Sequence, residues 1–227
     1  MTLEDIKGLY IPDNFGCNED DDSVVTSSIY KVESQLCQYK DTPYTAWGVS
    51  KFVILLNDNI VVKIPFTGRH YFVEDYDNET DEPIEDEGFE PFYSGIDYCL
   101  LEEEKYQEAI NAGLGFMFAK TEIGGKTING KQFYISERVI PYRNSDRFAR
   151  NDSKKYVKTL SEKHKNGWEF NDNWLGLVYE YYGEETVEAL LQFVEDAGIN
   201  DFHGGNLGFK ACNGAPVILD YSGFDED

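Results

Sequence analysis

Asn200-Asp201-Phe202-His203-Gly204-Gly205-Asn206-Leu207-Gly208-Phe209 is the stretch on which the reading of this chain turns. After a turn at Asn213-Gly214 comes Pro216-Val217-Ile218-Leu219-Asp220-Tyr221-Ser222-Gly223. An Asp stands five residues before an Asn, an apolar hairpin follows, and a second Asp ends that hairpin. Phosphoryl transfer needs such a set. One carboxylate orients or deprotonates an attacking hydroxyl, while an amide oxygen and a second carboxylate hold Mg2+ against phosphates. A hairpin between them fixes the spacing by placing the ligands on strands.

Upstream of this stretch the pattern is helical. Val187, Leu190, Leu191 and Val194 recur at i, i+3, i+4 and i+7 within 184–197, the stripe of a core-facing helix that Gly198 ends. Residues 172–182 carry Trp174, Leu175, Leu177, Val178 and Tyr181, and 146–164 are polar and basic, a loop or an exposed helix. Further back the pattern changes to strands. Phe52-Val53-Ile54-Leu55-Leu56 and Ile60-Val61-Val62-Lys63-Ile64 flank the turn signal Asn57-Asp58-Asn59, a β-hairpin closed by Pro65. Residues 123–139 read as a second hairpin turning near Asn129-Gly130. Between the hairpins, 97–112 reads as a helix with Cys99, Tyr106, Ala109 and Ile110 on one face and Gly113 as its stop. Strands with one helix, then helices, make an α+β chain. The expected division is 1–140, an N-terminal extension plus a strand-rich lobe, and 141–227, a reduced helical lobe.

The chain has 227 residues, 20 Lys and Arg against 43 Asp and Glu, and a net charge of −23. With 41% hydrophobic residues it can form a packed core. The charge opposes nucleic-acid binding, which needs clustered bases, and favours cations; an acidic decoy of nucleic acid is the one exception. The longest apolar run is five residues, far short of the roughly 20 a membrane span needs, so no membrane partner is expected. No signal peptide is visible, and Cys17, Cys37, Cys99 and Cys212 are widely spaced with no CxxC, so free thiols and a cytoplasmic site are expected. Residues 1–40 show little pattern beyond the acidic cluster at 19–22, read as a solvated loop. Residues 74–90 hold ten acids and no base, and read as an acidic loop inserted in the strand-rich part.

The Asp201–Asn206 and Asp220 motifs together resemble the protein-kinase-like superfamily, and most closely its minimal bacterial and phage branch related to the aminoglycoside phosphotransferases. The phosphotransferases' H-G-D-x-H-x-x-N loop is matched by 200–206, and the kinases' D-F-G by Asp220-Tyr221-Ser222-Gly223 with one inserted residue. The resemblance covers about residues 44–224 and implies a two-lobed fold that uses ATP and Mg2+. It makes Asp201 the catalytic base, Asn206 and Asp220 the metal ligands, and His203 a support of the loop. It assigns Lys63 to the α- and β-phosphates and Glu102, with Glu103 second, to pair with that lysine. Gly48 alone stands in for the multi-glycine loop, leaving Ser50 and backbone N–H groups to cover the phosphates. Backbone groups at Glu137 and Val139 would meet adenine.

The chain ends seven residues after Asp220, without the segment that holds peptide substrates in conventional protein kinases. The expected activity is therefore ATP- and Mg2+-dependent phosphotransfer to an acceptor, protein or small molecule, that the sequence does not name. The alternative is a nucleotide-binding pseudokinase acting as a regulatory or interaction module.

Overall fold

The computed structural model describes residues 1–21, 23–76, 83–164, 171–199 and 202–221. The fold is mixed α+β, with six α-helices and eleven strands among the described residues. The residues group into two compact units. The first holds Met1–Asn57, Val61–Cys99 and Ile123–Ile135, and the second Asp58–Ile60, Leu100–Glu122 and Ser136–Asp227. The chain thus passes between them several times.

The first unit is built on a five-stranded sheet. Strands β2 (Thr45–Trp47), β3 (Lys51–Leu55) and β4 (Ile60–Pro65) are followed in sheet order by β8 (Gln132–Glu137) and β7 (Thr121–Lys126). Both hairpins expected from the apolar runs are present. β3 and β4 pair antiparallel with Val53 opposite Lys63, and Gly130 takes the positive φ of 83° that the second turn requires. Alternation then sorts the strands by face: Phe52, Ile54, Val62 and Ile64 enter the core while Lys51, Val53 and Lys63 point to the other face.

Residues 1–40 supply much of that core. Helix α1 (Leu3–Lys7) is capped by Thr2, strand β1 (Gly16–Asn18) follows, and helix α2 (Ser27–Leu36) starts at Thr26, whose hydroxyl accepts from Ile29 N–H. Ile6, Leu9, Ile11, Phe15, Ile29, Val32 and Leu36 are all buried with the sheet residues. The Phe15 ring meets Phe52 and Phe66 edge-on, with centroids 5.7 and 4.9 Å away.

The acidic stretch is not a loop over its described residues. Strands β5 (Gly68–Tyr76) and β6 (Pro83–Pro91) pair antiparallel, and β1 joins β5 in parallel. Backbone pairing forms without an apolar alternation to announce it.

In the second unit, α4 (Asn151–Ser161), α5 (Asp172–Tyr182) and α6 (Glu184–Asp196) pack around Trp174, Leu175, Val178, Val187, Leu190, Leu191 and Val194. Gly198 follows α6 with φ 66°. A three-stranded sheet of β9 (Val139–Pro141), β10 (Leu207–Lys210) and β11 (Pro216–Ile218), in the order β11-β10-β9, abuts this core. Trp174, fully buried, donates its indole N–H to Gly208 C=O at 3.1 Å, fastening α5 to β10.

Helix α3 (Tyr98–Asn111) departs from its expected face: Ile110 is 46% exposed, while Glu102 is fully buried in line with Cys99 and Ala109. All four cysteines are free. Among the described residues no helix is long and apolar enough to cross a membrane.

Candidate functional site

The hairpin β10–β11 fixes the backbone positions of Asn206 and Asp220, the two residues expected as metal ligands. Leu207 lies opposite Ile218 and Phe209 opposite Pro216. Leu219 N–H then donates to Asn206 C=O at 2.8 Å, extending the ladder by one residue. Asn206, 8% exposed, thereby faces Leu219, and Asp220 follows at once at the same end of the hairpin. An amide oxygen and a carboxylate held at neighbouring backbone positions are the hard oxygen donors that Mg2+ takes.

The loop before the hairpin is closed by its own groups. Gly205 N–H donates to His203 Nδ1 at 2.9 Å and Asn206 N–H to His203 C=O at 2.9 Å. Accepting at Nδ1 places the proton of a neutral His203 on Nε2. A Cβ at Gly205 would lie 2.6 Å from His203 Cε1, so any side chain there would push the imidazole aside. Asp201, the expected catalytic base, lies outside the described residues; the residues on either side of 200–201, Ile199 and Phe202, are buried at 2% and 5% exposure.

Glu102 sits in a buried polar network of the second unit. Thr121 Oγ1 donates to Glu102 Oε2 at 3.4 Å and lies 3.1 Å from Ser136 Oγ. The Tyr221 hydroxyl donates to Ala119 C=O at 2.6 Å. Burial, and then the nearby Glu102 carboxylate, push the Tyr221 phenol well above its ordinary range, so it stays a donor. Tyr221 directly follows Asp220 and anchors that end of the hairpin.

Glu137 N–H donates to Lys120 C=O at 2.9 Å, so the group it could offer adenine is its carbonyl, not its N–H. Val139 pairs with Lys210, and Ala211 N–H donates to Arg138 C=O at 3.1 Å. Because bonded and non-bonded pairs alternate in an antiparallel ladder, the Val139 N–H and C=O point away from β10. The Glu137 side chain is held by Lys210 Nζ at 2.8 Å.

The remaining expected residues lie in the first unit. Lys63 is 5% exposed on the face of β4 away from the core. Gly48 N–H donates to Lys51 C=O at 3.3 Å, closing a tight turn between β2 and β3, and a Cβ at Gly48 would meet nothing. That N–H serves the turn, and the position does not demand glycine. Ser50 is buried, and its carbonyl accepts from Phe66 N–H at 2.9 Å.

Within the second unit the structure places Asn206 and Asp220 at one end of the β10–β11 hairpin and buries Glu102 among hydroxyls. Lys63, Gly48 and Ser50 share the β2–β4 hairpins. Several residues escaped the sequence reading. Lys51, also 5% exposed, lies on the same sheet face as Lys63, diagonal to it in register; two lysines at even spacing from one hairpin were the available signal. Thr121, Ser136 and Tyr221 carried no sequence signal as a group. No protein family, curated protein or solved structure matches the chain.

Proposed function

We propose that the protein is an ATP- and Mg2+-dependent phosphotransferase with a two-lobed kinase-like arrangement. The observation that carries this reading is the placement of Asn206 and Asp220 at one end of the β10–β11 hairpin, fixed by the Leu219–Asn206 hydrogen bond. Support comes from the burial of Lys63 and Glu102, charged side chains kept out of water on strand β4 and helix α3. Such groups are retained where their charge is used or paired.

In this reading Asn206 Oδ1 and the Asp220 carboxylate hold Mg2+. When bound there, the metal would supply charge neutralisation to a transferring phosphoryl group. Lys63 binds phosphate oxygens, and Asp201 orients the acceptor hydroxyl and accepts its proton. His203 keeps the intervening loop closed. The Glu137 carbonyl and the Val139 N–H are the main-chain groups for adenine. The contribution of the protein is positioning and electrostatic stabilisation. With a net charge of −23, phosphate binding depends on Lys63 and the metal together.

The test is to titrate ATP into the full chain with and without Mg2+ by calorimetry and melting temperature, then to seek phosphate or AMP transfer by mass spectrometry. A ligand bound to the native state alone raises the melting temperature by mass action. Asp201→Asn is expected to keep Mg·ATP affinity and lower transfer at least ~100-fold, the scale of a lost general base. Absence of any shift or heat at millimolar Mg·ATP refutes the reading. Tight binding with no transfer to any acceptor leaves the pseudokinase reading in its place.

A further inference from the structure

We propose that Arg143 forms an anion-recognition site beside the 203–206 loop, so that the acceptor hydroxyl is carried by a molecule bearing a phosphate or carboxylate. The inference rests on the phosphotransfer reading and names the class of its second substrate.

Arg143 is mounted firmly. It lies in a single 3-10 turn, Tyr142–Asn144, directly after β9, and its N–H donates to Gly204 C=O at 3.1 Å. The neighbouring Tyr142 hydroxyl accepts from Asn173 Nδ2 at 2.7 Å, and its ring packs against Phe209 with centroids 6.4 Å apart. The guanidinium extends along the loop, where a Cβ at Gly205 would lie 3.7 Å from Arg143 Nη1 and 2.6 Å from His203 Cε1. The absence of a side chain at Gly205 leaves the guanidinium and the imidazole side by side.

Charge separates Arg143 from its neighbours. Residues 143–164 hold seven Lys and Arg against three acids, while the rest of the chain holds 13 against 40. Within that basic stretch Arg147 stacks on Phe209 at 4.3 Å, and Arg150 Nε pairs with Glu180 at 3.3 Å. Arg143 is exposed and makes no ion pair among the described residues. In so acidic a chain an unpaired guanidinium beside the loop is a specific attraction for an anion. Its fork matches two oxygens of a phosphate or carboxylate at once. In the phosphotransfer reading Asp201, two residues before His203 in the sequence, is the base that a hydroxyl on such an anion would meet.

The test uses the full 15N-labelled chain at about 50 mM salt, where screening is modest. The probes are glycerol 3-phosphate, glycerate and uncharged glycerol, and the readout is the amide shifts of His203, Gly204 and Gly205. The phosphate and carboxylate arms separate the two anion sources. Saturable shifts are expected with at least one anion and none with glycerol. Arg143→Gln is expected to weaken them at least ~5-fold, and Lys155→Gln, the same charge change on exposed α4, by less than ~2-fold. Shifts that are absent, that glycerol reproduces, or that survive Arg143→Gln overturn the site. Mg·ATP affinity measured on the same samples separates the two levels. Mg·ATP binding without anion binding removes this inference alone. Anion binding through Arg143 without Mg·ATP binding removes the phosphotransfer reading, and with it the assignment of the anion as acceptor.

Discussion

Leu219 N–H donates to the carbonyl of Asn206 across 2.8 Å, and this one bond sets the backbone of Asn206 opposite Leu219, one residue before Asp220. If residue 206 is a metal ligand as proposed, affinity should depend on an oxygen there more than on the amide itself. Asn206→Asp is expected to retain nucleotide-dependent Mn2+ binding, and Asn206→Leu to lose at least ~10-fold, within the 10- to 100-fold range for disturbed metal sites. Mn2+ electron paramagnetic resonance in the presence of ATP measures both. Equal binding by Asn206→Leu would show that residue 206 is not a ligand.

The strand that carries this loop tolerates no side chain at Gly208, where a Cβ would run into the Ile140 carbonyl. Gly208→Ala should therefore open the β9–β10 pairing. A loss of about 1–3 kcal/mol in urea unfolding is expected, the cost of forcing atoms into a filled space. A wild-type midpoint would mean that the strands can separate without penalty.

Trp174 combines full burial with a hydrogen bond to Gly208 C=O. Trp174→Phe keeps most of the apolar contact but leaves that carbonyl without its indole donor, at a cost of about 1–3 kcal/mol. Trp174→Ala adds a cavity and should cost about 3–5 kcal/mol. Chemical denaturation of the two variants separates the polar part from the packing part, and equal losses would assign everything to packing.

Thr121→Val removes the hydroxyl shared by Glu102 and Ser136 while keeping the side-chain shape. The expected outcome is a lower melting temperature and a weaker thermal response to Mg·ATP, because a buried carboxylate loses a donor. Thr121→Ser should restore both. If Thr121→Val melts like the wild type, the network does not stabilise Glu102.

Glu180 provides a pH test. The Ser153 hydroxyl, and after it the Arg150 N–H and guanidinium, hold its carboxyl below the ordinary value of 4.5. A lowered folded-state pKa gives stability that is complete above the unfolded value and fades as pH falls through the folded one. Glu180→Gln should therefore be less stable than wild type near neutrality and lose less on acidification below about pH 4.5. Parallel melting curves across that window would contradict the assignment.

How much of this was legible depended on periodicity. The α6 stripe and the β3–β4 hairpin were visible because Val187, Leu190, Leu191 and Val194, and the runs around Asn57–Asn59, repeat at the spacing of their own structure. Strands β5 and β6 were not, because their apolar residues do not alternate with polar ones over a full strand and their pairing is written in the backbone. Residues 1–40 hid a core because Ile6, Leu9, Ile11 and Phe15 lie in a five-residue helix and irregular chain, too short for any period. In α2, however, Thr26 before Ile29, Val32 and Leu36 was a readable cap and stripe. At the candidate site, Asn206 and Asp220 were marked as candidate ligands by residue type and spacing alone. Arg143 did not, since only the tertiary pairing of its turn with Gly204 puts it beside the loop.

The first unit takes its walls from distant parts of the chain. Asn129 donates to Ile11 C=O at 2.7 Å and Ile11 N–H returns a bond to Asn129 Oδ1 at 3.1 Å, across 118 residues of sequence. A growing polypeptide must therefore hold its opening segment without these partners until the second hairpin has left the ribosome. During that interval Ile6, Phe15, Val32 and Leu36 lack part of their cover, which is the condition under which chaperones bind and aggregation begins. Closing so long a loop also slows assembly of this unit relative to the helices α4–α6, whose contacts are close in sequence. Helices α4–α6, later in the sequence than the first unit's strands, can thus be the quicker to fold.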